Sequence, residues 1–192
     1  MIDRKTFFDS IRASLFGGTL KQSQVDGIDY LLNVWERHFE IPNPRDGTKW
    51  LSYCMATVYH ETAQTMQPIE EYGQGKGKKY GQPAGPHGHC YYGRGHVQLT
   101  WEENYLKAEK NLKDRYGVEA KLHKEPHRML EHEISALVLY DGMIHGWFTG
   151  VGLPKYFNAT VEDPVNARRI VNALDKAELI AGYYWKFKKA LA

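Results

Sequence analysis

A mainly helical single domain with a small loop-and-hairpin lobe is the architecture the sequence predicts, and three observations predict it. Apolar residues recur at helical spacing in several long stretches. The segment from 73 to 95 is too rich in glycine and proline to be helical. No repeat, low-complexity run or linker divides the 192 residues, so positions 1–192 read as one packed unit around one core. The expected form is a helical bundle-like domain with the loop-and-hairpin lobe flanking a substrate cleft.

The first helix predicted spans 23–39. Ser23 and Asp26 stand in capping-box spacing before it, and Val25, Ile28, Leu31, Leu32 and Trp35 share one face. A second starts near 47, with Trp50, Leu51, Cys54 and Val58 in register; Pro68 is the expected stop, which puts His60 and Glu61 in its last turns. YGQGKGKKYGQPAGPHGHCYYGRG then reads as loops and short hairpin strands. Thr100 and Glu103 form a second capping-box pair, opening a helix through Tyr105, Ala108 and Leu112 that Gly117 stops. Leu130, Ile134, Leu137, Val138, Asp141 and Ile144 predict a helix over 127–147. Asp163 before Pro164 reads as an N-cap for PVNARRIVNALD, and a last helix covers 176–191.

Composition is that of an ordinary globular protein, with 42% hydrophobic and 25% charged residues. Twenty-five basic against 23 acidic side chains give +2, too small an excess to indicate nucleic-acid binding. A faint positive field still favours an anionic polymer such as a bacterial wall. Cys54 and Cys90 make no disulfide framework, which suits a reducing compartment. Asp3, Arg4, Lys5 and Asp9 interrupt any apolar core of a signal peptide, and no stretch approaches a membrane span. The expectation is a protein kept in the cytoplasm until something releases it to the wall.

Cleaving a glycosidic bond takes two carboxyl groups, one protonated and one charged. Glu61 lies at a helix end beside His60, and Glu70 and Glu71 follow just beyond Pro68, where a chain reversal would carry them across a cleft. In 91–105 the run YYGRGHVQLTWEENY crowds aromatic rings, glycines, an arginine, amides and a hydroxyl together. Tyrosine and tryptophan offer faces for the C–H side of a pyranose, and Gln98 and Asn104 offer amides for its hydroxyl and acetamido groups. Gly93 and Gly95 would let backbone approach a ligand closely, or simply make a tight turn.

HETA at 60–63 together with YYGRGHVQLTWEENY resembles the family 19 glycoside hydrolases, the chitinase family that includes many phage endolysins. LFGG at 15–18, MQPIEEYG at 66–73, GWFTG at 146–150 and ARRIVNALD at 167–175 are similar to its phage and prophage branch, so the resemblance spans almost the whole chain. It implies an α+β lysozyme-like fold and an inverting hydrolase with Glu61 as general acid. By the same resemblance Glu71, or in second place Glu70, is the base, although the phage branch departs from the chitinases in this loop and some members have no carboxylate at the matching position, which leaves no carboxylate base as a third alternative. Thr100 of QLT orients the attacking water, besides its reading as a helix cap. Implied substrate contacts are His60, Tyr91, Tyr92, Gln98, Trp101, Asn104, Arg169 and Asn172. An apolar pocket walled by Tyr59, Tyr91, Tyr92 or Trp101 is expected to keep Glu61 protonated.

The implied activity is muramidase-type cleavage of peptidoglycan glycan strands for host cell lysis, by a monomer without cofactor or metal, with a holin-type lesion for release. Chitin is the alternative substrate, and a wall-sugar binding module without catalysis is a further alternative. A metal hydrolase would draw on His87, His89 and Cys90, with Cys54 and His60, in a spacing that matches no zinc motif. The C-terminal YYWKFKKALA either docks on the core or lies on a membrane surface.

Overall fold

The computed structural model describes residues 2–39, 41 and 43–192. Two helices take up its interior. One is α3 (Pro44–Glu61), buried without a break from Leu51 to Tyr59; the other is α5 (His132–His145), buried from Ile134 to Ile144. A helix apolar on all sides must be wrapped on all sides, and the remaining helices do so. α2 (Gln22–His38) and α4 (Glu102–Tyr116) pack on α5, while α6 (Ala177–Leu191) packs on α3 and carries α1 (Arg4–Ser14) on its other side. The fold class is mainly α, as predicted.

α1 is an addition to the predicted elements. Asp3 Oδ1 accepts the Thr6 N–H at 3.2 Å as its N-cap, and Phe7 stacks on Phe187 of α6 with centroids 6.5 Å apart. The C-terminal helix thus docks on the core through Ala177, Ile180, Tyr184 and Phe187. No helix among the described residues is long and apolar enough to cross a membrane.

Neither predicted capping box forms, because the cap falls at another residue in each helix: Lys21, two before Ser23, and Trp101, one after Thr100. α2 begins at Gln22, so Gln24 takes the third helical position and its Oε1 accepts the Lys21 N–H at 2.9 Å; Asp26 accepts from Gln22 instead. α4 begins at Glu102, with Trp101 in the cap position at φ 72° and no side-chain cap, so Thr100 is not the helix cap. Asn104 turns back to the Thr100 carbonyl at 2.9 Å, and Gly117 closes the helix in the left-handed conformation, as predicted.

The 127–147 helix is shorter than its periodicity suggests. A 3-10 turn covers Pro126–Leu130 and extended Glu131 separates it from α5, because Arg128 bonds the Glu119 and Ala120 carbonyls and ties the turn to the preceding loop. α3 likewise ends at Glu61, well before Pro68. The Thr62 hydroxyl bonds back to the Val58 carbonyl, and Ala63, Gln64 and Met66 all take positive φ, which costs about 1 kcal/mol or more each in residues with a Cβ. The segment after Asp163 is capped as predicted, its Oδ1 accepting the Asn166 N–H at 3.0 Å, but forms only a 3-10 helix (Asn166–Ile170) and turns.

The lobe contains one short antiparallel ladder, β1 (Ile69–Glu70) with β2 (Arg94–Gly95), pairing Ile69 with Gly95 and Glu70 with Arg94. Its docking is tight. Gly95 has φ 86°, and a Cβ there would sit 2.7 Å from Ser135 Oγ and 2.8 Å from Met129 Cε, so this glycine admits the protein's own α5 and not a ligand.

His96 follows directly and anchors the lobe in the core. It is fully buried, its N–H bonds Ser135 Oγ at 2.8 Å, and neither ring nitrogen has a partner among the described residues, with the His132 ring 6.3 Å away. Burial, with the neighbouring His132 adding to it, pushes the imidazole down to about 3. A group depressed in the folded state contributes stability that is complete above its unfolded value near 6.5 and is lost as pH falls toward 3. Melting temperature is therefore expected to fall from pH 6.5 to 4, with His96 adding up to about 1.4 kcal/mol per pH unit. His96→Phe should flatten that slope in thermal scans across the window; an unchanged slope refutes the assignment.

Candidate active site

The first site residue is placed by the end of α3. Tyr59 is buried, with its hydroxyl bonded to the Leu15 carbonyl, while Glu61 two residues on emerges at the helix end with its side chain 18% exposed. A single strong contact holds it: Arg168 Nη1 donates to Glu61 Oε1 at 2.6 Å, and Arg168 Nε donates to the Asp175 carbonyl at 3.0 Å. The guanidinium is almost wholly buried, with 4% of its side chain exposed. A buried cation has to be paired, so Arg168 fixes the Glu61 carboxyl in one orientation. Among the described residues Oε2 of Glu61 makes no hydrogen bond.

This geometry corrects two expectations. The neighbour at Glu61 is a cation, not an aromatic wall: Tyr59 packs on Phe16 and Tyr183, Tyr91 on Tyr105 and His123, Tyr92 under Arg94, and Trp101 against Tyr80. Of the two adjacent arginines, Arg168 is the one turned inward, whereas Arg169 is exposed and only brushes Asn166 at 3.5 Å. Asn172 is exposed too and caps its own turn through the Ala173 N–H. Arg168 has no signature in the sequence beyond lying next to Arg169, since a 3-10 segment lacks the period that marks an inward face.

His60 stands half-buried beside the pair. Burial disfavours its charged form and the Arg168 cation opposes it as well, so it lies below the ordinary histidine range despite Glu61 and Asp175 nearby. It is neutral at pH 7 and able to give or take one hydrogen bond.

Glu70 and Glu71 leave β1 in different company. Glu70 Oε1 accepts from the Tyr92 hydroxyl at 2.9 Å and Arg94 Nε at 3.2 Å, and the Arg94 guanidinium lies 3.6 Å from the centroid of the Tyr92 ring. Burial opposes its charge, but those donors outweigh it and hold the carboxyl below the usual range. Arg94 also reaches the Cys90 carbonyl and the Tyr105 hydroxyl, so Glu70 belongs to a structural network. Glu71 is more lightly held. Its Oε1 accepts from the Tyr80 hydroxyl at 3.2 Å, and its Oε2 accepts from the Gly93 N–H at 3.1 Å.

Gln98 stands on the other side of Gly93. A Cβ on Gly93 would meet Gln98 Oε1 at 2.9 Å and Glu71 Cβ at 3.3 Å, so the glycine lets both side chains close over the strand without displacing Gln98. Gln98 Nε2 donates to the Ile69 and Gly95 carbonyls at 3.0 and 3.1 Å, locking β1 to β2. Trp101 is 40% exposed and meets Tyr80 edge to face at 5.4 Å; the Thr100 hydroxyl bonds nothing among the described residues. Tyr80, Glu71, Gly93, Gln98 and Trp101 thus form one polar and aromatic face. Tyr91 is not part of it, being 1% exposed with its hydroxyl on the His123 carbonyl.

The Glu61–Arg168 pair and this face share no hydrogen bond; residues 62–68 connect them. A separate hollow of about 510 Å³, lined by Trp35, Phe39, Thr48 and Leu51 among others, lies toward the other end of α3, about 15–25 Å from Glu61 by helix rise. No three histidine, cysteine or acidic side chains among the described residues are grouped to hold a metal ion, and Cys54 is sunk in the core.

Comparison with known proteins supports the fold. No protein-family model matches the chain, and no curated protein matches it in sequence. Solved structures do match. Chitinase C from Streptomyces griseus superposes with a TM-score of 0.65 at 19% identity, covering 99% of this chain and 76% of that one. A point mutant of chitinase C gives 0.61 at 19% over 99% and 92%. The family 19, class IV chitinase from Zea mays gives 0.58 at 15% over 97% and 93%. The chain therefore shares the architecture of these chitinases nearly end to end.

The pairing of Glu61 with Arg168 can be measured directly. In a double-mutant cycle, Glu61→Gln and Arg168→Met are expected to be coupled by about 1–3 kcal/mol in denaturant unfolding. Additive effects would mean the two side chains do not hold each other.

Proposed function

We propose that this protein is a glycoside hydrolase that cuts N-acetylhexosamine polymers with Glu61 as proton donor, and that its substrate is the glycan strand of bacterial peptidoglycan. The observation that carries the reading is a half-hidden carboxyl at the end of a buried helix, held at one oxygen by a buried guanidinium. Its second oxygen is then available to the bridging oxygen of the glycan. The shared architecture with chitinases supports the same chemistry.

In this reading Arg168 fixes the acid, and the face of Tyr80, Glu71, Gly93, Gln98 and Trp101 receives the polymer. Trp101 offers a ring to a pyranose, Gln98 Oε1 accepts from an acetamido N–H, and Glu71 with the Thr100 hydroxyl orients the attacking water. A carboxylate has about four acceptor sites, so Glu71 can hold Tyr80, Gly93 and a water together. Attack from the far face inverts the anomeric carbon, which asks for roughly 6.5–9.5 Å between the two carboxyl groups. Tyr92 and Asn104 support the site from within, through Glu70 and the Thr100 carbonyl.

The slight positive charge and the phage-like sequence motifs favour peptidoglycan, in a monomeric lytic enzyme that reaches the wall through a membrane lesion of the holin type. Chitin is the second reading, favoured by four fold neighbours that are chitinases by name. Reducing ends released from purified peptidoglycan and from chitin, followed by mass spectrometry and anomeric NMR, separate the two. Glu61→Gln is expected to lower turnover by about 10²–10⁴-fold while wall binding persists. A wild-type protein that binds walls and releases no ends is a binding module.

A further inference from the structure

A hollow of about 430 Å³ is lined by Val165, Leu174, Lys176, Ala177, Glu178 and Leu179, and the chain neighbours of Asp175 on both sides are among them. Arg168 links this segment to Glu61: one end of its guanidinium holds Glu61, and the other holds the carbonyl of Asp175, which adjoins Lys176. The charges of Asp175 and Lys176 also reach His60. Leu174 and Leu179 are 42% and 45% exposed there. Single exposed leucines need no explanation, but two lining one hollow, both close in the chain to the residue whose carbonyl Arg168 holds, point to a ligand surface.

The lining indicates the kind of ligand. It has no aromatic ring to stack on a pyranose, and no amide or hydroxyl side chain to meet sugar hydroxyls. Its walls are aliphatic, with exposed Lys176 at the start of α6; Glu178, in the first turn, offsets the partial positive charge of the helix terminus. An aliphatic amide chain ending in a carboxylate suits such a lining better than another sugar. The side groups of peptidoglycan are of this kind: a lactyl methyl, an alanyl methyl, then an acidic residue.

We propose that the hollow lined by Val165, Leu174 and Leu179 is the subsite for the lactyl-peptide side group of a peptidoglycan strand, with Lys176 facing its carboxylate. The proposal rests on the hydrolase reading of Glu61 and specifies its substrate class, since a chitin chain has no group to place there. Lys176, Leu174 and Leu179 thereby become specificity residues, outside the bond-breaking groups.

The test compares peptide-bearing glycan strands with the same strands stripped by an amidase. Wild-type kcat/KM is expected to be about tenfold higher on the peptide-bearing strands. Leu179→Asp combined with Lys176→Gln should remove that preference while turnover of stripped strands stays within about twofold, a split that misfolding would not produce. Calorimetry of a disaccharide-peptide too short to be cut, against the peptide-free disaccharide, reads the subsite without turnover. No peptide preference in wild type, or equal losses on both substrates in the variant, overturns the subsite and leaves the hydrolase reading standing. Peptide-dependent binding that the variant loses, with no turnover of any strand, supports the subsite and overturns the hydrolase reading.

Discussion

A guanidinium removed from water has to find an anion, and in this protein Arg168 finds Glu61 from 107 positions away. The pair constrains much around it. It draws 166–170 into a 3-10 turn in place of a regular helix, closes the segment back on Asp175, and holds the end of α3 where the chain reverses. Three left-handed residues with side chains follow within five positions of Glu61, a strained reversal that the fold maintains directly after this carboxyl. One ion pair thus joins the central helix, the C-terminal segment and the proposed chemistry.

The lobe is organised on a different principle. Its ladder is only two residues per strand, too little to stand alone, so side chains hold it. Arg94 stacks on Tyr92 and ties Glu70 to Tyr105 of α4; Gln98 bridges β1 and β2; His96 and Gly95 press the strand into α5. The consequence is a division of labour between adjacent carboxylates. Glu70 is committed to the network, and Glu71 keeps acceptor capacity on the outer face.

Much of the architecture was legible in the sequence. The 3.6-residue pattern locates α2, α3, α4, α5 and α6, because each buries a stripe or a whole surface and burial is periodic in a helix. Gly117 and Asp163 act as the terminators and caps their chemistry suggests. The capping boxes at Ser23 and Thr100 do not form, since a shift of one or two residues in the helix start moves the capping position and local spacing cannot detect it. The helix read from PVNARRIVNALD gave way to tertiary bonds made by Arg168. Of the candidate site residues, His60, Glu61, Glu71 and Gln98 are partly accessible, Trp101, Arg169 and Asn172 are exposed, and Tyr91 is buried.

What the sequence determined by itself is the set of helices, the irregular lobe between them and the presence of a glutamate at a helix end, all consequences of residue type at short range. Tertiary structure alone decided which arginine reaches that glutamate, which of two neighbouring carboxylates keeps acceptor capacity, and where aliphatic side chains line a hollow. Those outcomes depend on contacts between segments far apart in the chain. No local pattern encodes them, because the energy that selects them comes from desolvation and close packing in the assembled core.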